Sequence, residues 1–429
     1  MEVRDPIHGT IELSEAEARL VHTPFVQRLR GIRQIGYSSI PFPSATHTRF
    51  SHCLGVMHLA GLAFDRAYRG WTFDHPQARE RFRAATRLAA LCHDLGHAPY
   101  SHCTEFAMPP ISQLGIEWYR SPLGDRRASH EDYTIAILQR TLLARVIGED
   151  FPCTARHVAA LISPEVPVGD DYFRDDGLDH RRLLSQIISS ELDVDRLDYL
   201  CRDAYFSGAR YGTVDAPWLL SSLSAHAADG QVWLALDAAA LYAFEDFLVS
   251  RHHMFLQVYF HHKSVVYERM LERYVNGDAC TWSVPADPEG FLRCDDADLE
   301  VHLRRSGDPW ARRIVGHEPY RRVVERHGPT PQVSVEREVE LLRAAGIDAL
   351  AAESTGMLSR YAPGRNKRES RPIYVRDHFA THREHKLRSL RDASSVFERY
   401  AGGQSIARVY VAPEDREQAW AVLGIREER

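Results

Sequence analysis

The sequence predicts a mainly α protein, with an all-helical core over residues 1–275 followed by a smaller α+β region over residues 276–429. Three observations carry that expectation. Apolar residues recur at helical spacing from about Ser14 to Asn276. Beyond Asn276 short runs rich in β-branched and aromatic residues appear, PIYVR at 372–376 and IARVYVA at 406–412. The composition, 44% hydrophobic and 26% charged, is that of a chain able to bury a core, which excludes wholesale disorder.

The predicted helices follow in order as Glu15–Ile32, His52–Tyr68, Gln77–His93, His130–Ile147, Arg156–Ile162, Arg181–Tyr205 and Ala238–Tyr274. The last carries no Gly or Pro, so nothing in its local chemistry interrupts it. Stretches rich in Pro and Asp, such as Ile162–Gly177, read as loops. In the second region, Asp295–Ser306 reads as an acidic helix and Val335–Ala345 as another, ahead of the two strands. No repeat and no low-complexity tract is visible.

The net charge of -6 removes any global bias toward nucleic acid. One segment is locally basic, with ten Lys or Arg against three acids between Arg360 and Arg391, and it reads as a solvated face or a polyanion contact. No 18-residue apolar run exists, so no membrane span is expected. The start, MEVRDPIHGTIEL, has no apolar signal core. Seven scattered cysteines without a CxxC pair point away from a disulfide framework or a thiolate metal site, and toward a reducing cytoplasm. Histidine is the unusual count, 23 residues, many of them between His47 and His130.

The densest chemistry is LAALCHDLGHAPYSH at 88–102. His93 and Asp94 place a nitrogen and an oxygen ligand about 100° apart around a helix. His97 shares their face if the helix continues through Gly96, and His102 follows Pro99. A single His in an apolar helix is usually a core residue, whereas three His and an Asp within ten residues read as a metal or phosphate centre. Further ligands must come from elsewhere. THTRFSHCLGVMHLAG at 46–61 offers His52, with Arg49 as an anion donor, and ELDVDRLDYLCRDAYFSG at 191–208 offers Asp193, Asp195, Asp198 and Asp203. Acids interleaved with Leu192, Val194, Leu197 and Leu200 must place at least one carboxylate inward, where a cation is the natural remedy.

The order His52, His93-Asp94, Asp195 resembles the HD-domain metal-dependent phosphohydrolases. DPIHG at 5–9, TPFVQRLRGIRQIG at 23–36, FPSATHTRFSHCLG at 42–55, CHDLGHAPYSH, DVDRLDYLCRD and VYFHHK at 258–263 together resemble its dNTP triphosphohydrolase branch. The resemblance implies hydrolysis of deoxynucleoside triphosphates to deoxynucleoside and triphosphate. It implies His52, His93, Asp94 and Asp195 as ligands of a divalent metal, for which two imidazoles and two carboxylates suit Mn, Fe, Ni or Zn, with Mg accompanying the substrate. It places His97, His102 and His130 near the phosphates, with Glu131 paired to His130, and leaves His130 and His97 both open as the acid for the departing oxygen. Arg49, Arg196, Arg251 and Lys263 would hold phosphates, Gln34 and Asp203 the sugar, and Tyr199 with Tyr259 or Phe260 the sugar wall. The partners implied are a dNTP substrate, a nucleotide effector and further copies of the chain as a homo-oligomer. His22 stands where vertebrate members carry an acid that binds a guanine nucleotide effector, while Arg30 remains for another nucleotide. Two other readings compete: a different HD-type nucleotide phosphohydrolase or phosphodiesterase with the same ligands, and a nucleic-acid-binding or nuclease protein using residues 360–391.

Overall fold

The computed structural model describes residues 1–120, 124–169, 171–330, 332–356, 373–380, 387–399 and 403–425. Most of the basic segment at 360–391 lies outside the described residues. The chain is mainly helical, as expected, but its first 275 residues are not all-helical. It opens on an antiparallel hairpin of β1 (Glu2–Asp5) and β2 (Gly9–Glu12). The Asp5 carboxylate accepts the amides of Ile7 and His8 at 2.9 Å and so forms the turn itself.

The expected helix at 15–32 is broken in two, α1 (Glu15–Val21) and α2 (Pro24–Arg28). Ser14 and Glu17 form a capping box at the start of α1. The break follows from Pro24, which pushes Thr23 into an extended conformation. The core pair α3 (Arg49–Ala67) and α4 (Pro76–Cys92) comes next and packs together. Cys53, Val56, Met57, Ala60, Ala63 and Phe64 of α3 are wholly buried, the larger of them worth about 1.5–3 kcal/mol each. The expected helix at 130–147 is likewise divided, into α5 (His130–Arg140) and α6 (Leu142–Asp150). Thr141 turns extended and caps α6 through its hydroxyl. After α7 (Ala155–Ile162), the helix expected at 181–205 is again two, α8 (Arg181–Ile188) and α9 (Val194–Ser207), with Asp193 capping the second.

Between these helices lie strands that helical periodicity did not reveal. β3 (Arg174–Asp175) and β4 (Leu178–Asp179) precede α8, and after α10 (Ala216–Ser221) come β5 (Leu223–Ala228) and β6 (Gln231–Asp237). The β5–β6 turn is Asp229-Gly230, both at positive φ, a two-residue hairpin signal legible in the sequence. The long helix expected at 238–274 becomes α11 (Leu241–Met254), a π-helical turn at Phe255–Tyr259, and α12 (His262–Val275) capped by His261.

Three short helices follow, α13 (Pro288–Leu292), α14 (Asp296–Arg305) and α15 (Pro309–Val315). The predicted carboxy-terminal strands are present. β7 (Arg321–Pro329), β8 (Ala349–Gly356) and, later in the chain, β11 (Gln404–Val411) form an antiparallel sheet in the order β7-β11-β8, with the expected helix α16 (Glu336–Ala344) between β7 and β8. The PIYVR strand behaves differently. It is β9 (Tyr374–Arg376), which pairs parallel with β6 of the amino-terminal region and antiparallel with β10 (Leu387–Ser389). Ile373, Val375, Leu390 and Phe397 accordingly join the main hydrophobic core. No helix among the described residues is long and apolar enough to cross a membrane.

Candidate metal centre and substrate pocket

Three elements meet at the predicted ligands. His52 lies one turn into α3, His93 caps the end of α4 with Asp94 next to it, and Asp195 lies in the first turn of α9. Gly55 permits the approach of α3 to α9, since a Cβ there would overlap the Asp198 carboxylate and the Arg202 guanidinium. His52 Nε2 stands 3.0 Å from Asp195 Oδ1 and 3.5 Å from Asp94 Oδ2. His93 Nε2 is 3.3 Å from Asp94 Oδ1 and 3.5 Å from Asp195 Oδ1.

The second nitrogen of each ring settles the chemistry of the first. His93 Nδ1 donates to the Ala90 carbonyl at 2.7 Å and His52 Nδ1 to Asp198 Oδ2 at 2.7 Å. Both Nε2 atoms are buried and have no hydrogen-bond partner. A carbonyl can only accept, so the neutral His93 ring carries its lone pair on Nε2, directed at the two carboxylates. His52, His93 and Asp195 each bring a ligand atom within 4.8 Å of the others. With Asp94 beside them, the donor set fits a divalent cation that accepts mixed nitrogen and oxygen ligands. Without one, burial that would lower the His52 pKa is outweighed by Asp195 and Asp198, which push it up to about 10, so a cation bound there would displace a proton.

Asp198 is wholly buried and carries four donors. They are Arg202 Nε at 2.8 Å, an Arg202 terminal nitrogen at 2.9 Å, His52, and His8 Nε2 at 2.6 Å. Arg202 in turn reaches Asp5 at 2.8 Å, which ties the amino-terminal hairpin into the ring around His52. The inward acids of the α9 block are therefore relieved mostly by the protein itself. Asp193 pairs with Arg196 at 2.6 Å, while Asp203 is held by His47 at 2.8 Å and the Tyr259 hydroxyl at 2.7 Å. Asp195 is the one of the four turned to His52 and His93, the candidate metal ligands.

A second imidazole cluster adjoins the first. The helix expected to continue through Gly96 ends at Cys92, and a tight turn, with the His97 amide donating to the Asp94 carbonyl at 3.2 Å, brings His97 Nε2 to 3.2 Å from Asp94 Oδ1. Gly96 lets α5 begin directly over this turn, since a Cβ there would overlap the His130 carbonyl. The His97 and His130 rings stack at 4.1 Å, and His102 stands edge-on to His97 at 4.8 Å. The carboxylate on His130 is Glu105, at 2.5 Å from Nδ1, and Glu105 also reaches His102 at 3.2 Å. Glu131, expected in that role, lies exposed at the rim, because as the second residue of α5 it projects away from the cluster. Burial lowers the His97 pKa, and the charges of Arg49 and His130 lower it further, so His97 is neutral. For His130, burial is outweighed by Glu105 and the pKa rises. Glu105 could have been found in the sequence as an acid three residues after His102.

Both clusters open into one cavity of about 700 Å³. Gln34, Arg49, Arg196, Tyr199, Asp203, Arg251 and Tyr259 all line it, with Phe260. Arg49 is buried, bonded to Ser101 Oγ at 2.7 Å and to Asp94 Oδ2. Gln34 Oε1 and Arg251 Nε are buried without a partner, which leaves polar atoms for a ligand to satisfy. Lys263 is the exception among the expected residues. Extended backbone at His261 redirects the chain into α12, so Tyr259 and Phe260 face the cavity while Lys263 is exposed and outside its lining. The wall also holds Glu268, whose carboxyl burial pushes up to about 7.

The HD domain matches residues 49–203, the stretch from Arg49 through Asp203 that builds both clusters, and the HD associated region matches residues 214–356. The chain is an HD-domain protein. Among its relatives, this HD-domain protein is 32% identical over 221 residues to the human deoxynucleoside triphosphate triphosphohydrolase SAMHD1, covering 48% of the chain and 33% of that protein. An uncharacterised protein of Methanocaldococcus jannaschii is 28% identical over 325 residues, 75% of the chain and 59% of the relative. The chain thus spans less than two thirds of the length of either. A crystal structure of a hypothetical protein from Aquifex aeolicus superimposes with a TM-score of 0.73 at 26% identity, covering 99% of both chains.

Proposed function

We propose that this HD-domain protein hydrolyses deoxynucleoside triphosphates at the α-phosphorus, releasing a deoxynucleoside and intact triphosphate. The observation that carries the reading is the cavity lined by the candidate ligands His93, Asp94 and Asp195, with His52 buried beside them, in which Arg49, Arg196 and Arg251 meet the Gln34, Tyr199, Asp203 and Tyr259 group. Likeness to SAMHD1 over the matched residues supports it.

Held by His52, His93, Asp94 and Asp195, a divalent cation would acidify water and neutralise charge at the α-phosphate. Arg49, Arg196 and Arg251 spread the remaining charge of the triphosphate over fixed guanidinium groups in a partly desolvated site. Arg49 is kept in place by Ser101 and Asp94, and Arg196 by Asp193. As the bond from phosphorus to the 5′-oxygen breaks, that oxygen takes a proton. His130 is the donor we assign, since Glu105 holds it in the charged form while His97 stays neutral. Gln34 Oε1 is free to accept from the sugar 3′-hydroxyl. The Tyr199 and Tyr259 rings, 6.3 Å apart, form the wall against the 2′ position, and both oxygens of Asp203 already have partners in that wall. A ribose hydroxyl pressed there would be buried without a partner, a source of discrimination against ribonucleotides.

The test is product analysis by ion-exchange chromatography after incubating metal-loaded protein with each dNTP and each NTP. Deoxynucleoside plus triphosphate is expected, with NTPs cleaved at least tenfold more slowly. Release of pyrophosphate or monophosphate, or cleavage of a cyclic or dinucleotide substrate in preference, would replace this reading with another HD-type phosphohydrolase.

A further inference from the structure

The sequence offers an acidic helix at 295–306, and the first residue of the α14 that forms there is buried against the loops of the pocket. Asp296, at the amino-terminal end of α14, is 7% exposed. One of its oxygens accepts the backbone amide of Arg33 at 3.0 Å and the other that of Tyr100 at 2.6 Å. Those two amides belong to separate loops, and each loop delivers pocket residues. Arg33 precedes Gln34, and Tyr100 precedes Ser101 and His102.

The bonds continue inward. Ser101 Oγ donates to the Arg33 carbonyl at 2.6 Å and accepts from Arg49 Nε at 2.7 Å, and Arg49 then binds Asp94 of the metal centre. An unbroken chain of hydrogen bonds runs from α14 to a metal ligand. The Tyr100 loop needs such support, because Tyr100 and Ser101 both sit at positive φ, 56° and 60°, a conformation that side-chain-bearing residues rarely adopt. The HD domain ends at residue 203, so the support comes from another part of the chain, within the HD associated region at 214–356.

We propose that Asp296 is a positioning residue for the reaction. It clamps the two loops in register, so that Gln34, Arg49 and His102 face one bound substrate at fixed spacing. The proposal rests on reading the cavity as the hydrolytic site. In this arrangement the HD associated region is a working part of the catalytic site. Misplacement of reacting groups by about 1 Å costs on the order of 100-fold in rate, and loss of the clamp acts through that route without removing any group that touches substrate.

The experiment uses the full chain loaded with Mn, as wild type, D296N and S101A. Asn keeps only one acceptor oxygen, so one of the two amides loses its bond. Ser101→Ala cuts the same chain without touching α14. Hydrogen–deuterium exchange should speed up at least tenfold in residues 32–36 or 98–103 of D296N, while metal content stays at the wild-type ratio. With the best dNTP, kcat should fall at least tenfold in both variants and KM change by less than threefold. V301A, on the exposed face of the same helix, should match wild type. Faster exchange with unchanged kcat, or unchanged exchange in D296N, overturns the clamp. Should D296N not fold, S101A decides, and an unchanged kcat there overturns it equally. If wild type cleaves none of the four dNTPs, the substrate reading has failed instead, and the clamp stands or falls on the exchange.

Discussion

Replacing Asp198 by Asn separates what this residue does for folding from what it does for the metal. Its Oδ2 receives His52 Nδ1 and Arg202 Nε, and its Oδ1 receives His8 Nε2 and the other Arg202 nitrogen. An Asn side chain presents one oxygen and one NH2, so in either orientation two donors lose their acceptor and Arg202 loses its charged partner. Arg202 is wholly buried and retains only Asp5. Breaking one side of a buried ion pair costs about 3–5 kcal/mol. In either orientation His52 Nδ1 loses the carboxylate charge opposite it, and in one it loses its acceptor outright, which should weaken metal binding about 10- to 100-fold, roughly 1.4–2.7 kcal/mol. Urea unfolding of the metal-free protein reads the first quantity and calorimetric titration with Mn the second. In the double variant D198N/R202M the unpaired guanidinium is gone, so stability should recover in part while metal affinity does not. A D198N protein within 1 kcal/mol of wild type and with metal affinity changed less than twofold would refute the assignment of Asp198 as the support of His52.

Two further outcomes are expected. Gly96→Ala forces a Cβ into the His130 carbonyl and the first turn of α5; overpacking of this kind costs about 1–3 kcal/mol. It should lower both the melting temperature and kcat by displacing His130, and a variant with wild-type values for both would show that α5 is free to shift. Glu105→Gln tests the proton donor. The raised pKa of His130 stabilises the fold fully below its ordinary value of 6.5 and ceases to do so as pH rises through the folded value. The lowered pKa of Glu105 stabilises it above 4.5, with loss as pH falls through the folded value. The pair is thus strongest in mildly acidic solution. Without the Glu105 charge, burial of His130 is opposed only by the smaller influences of Asp94 and Glu131, so the alkaline limb of the kcat profile should move to lower pH; an unmoved limb assigns the proton to another group.

The residue types of the candidate metal centre were legible because each block of it is local. His93 and Asp94 are neighbours, and the alternation of acids with Leu and Val around Asp195 betrays burial within a single helical turn. The resemblance pointed to the pocket residues, and the fold brings all of them but Lys263 to one cavity. Strand content before residue 275 went unread, although Asp229-Gly230 announced a hairpin, because β6 is buried and its apolar run mimics a helix segment. The helix breaks at Thr23, Thr141 and Ser189–Asp193 depend on single capping or pre-proline residues, which apolar periodicity averages away.

Tertiary structure decided what periodicity has no access to. It chose Glu105 over Glu131 as the partner of His130, turned Lys263 outward, and relieved the buried charge of Asp198 through Arg202, His52 and His8. It also carried Asp296 across 263 residues to the amide of Arg33. The physical reason is common to these cases. A sequence specifies which side chains can ligate, donate or accept, and which of them share a face within a turn or two. Which one receives a given proton or amide depends on the meeting of chain segments far apart in sequence, and only their packing sets those distances.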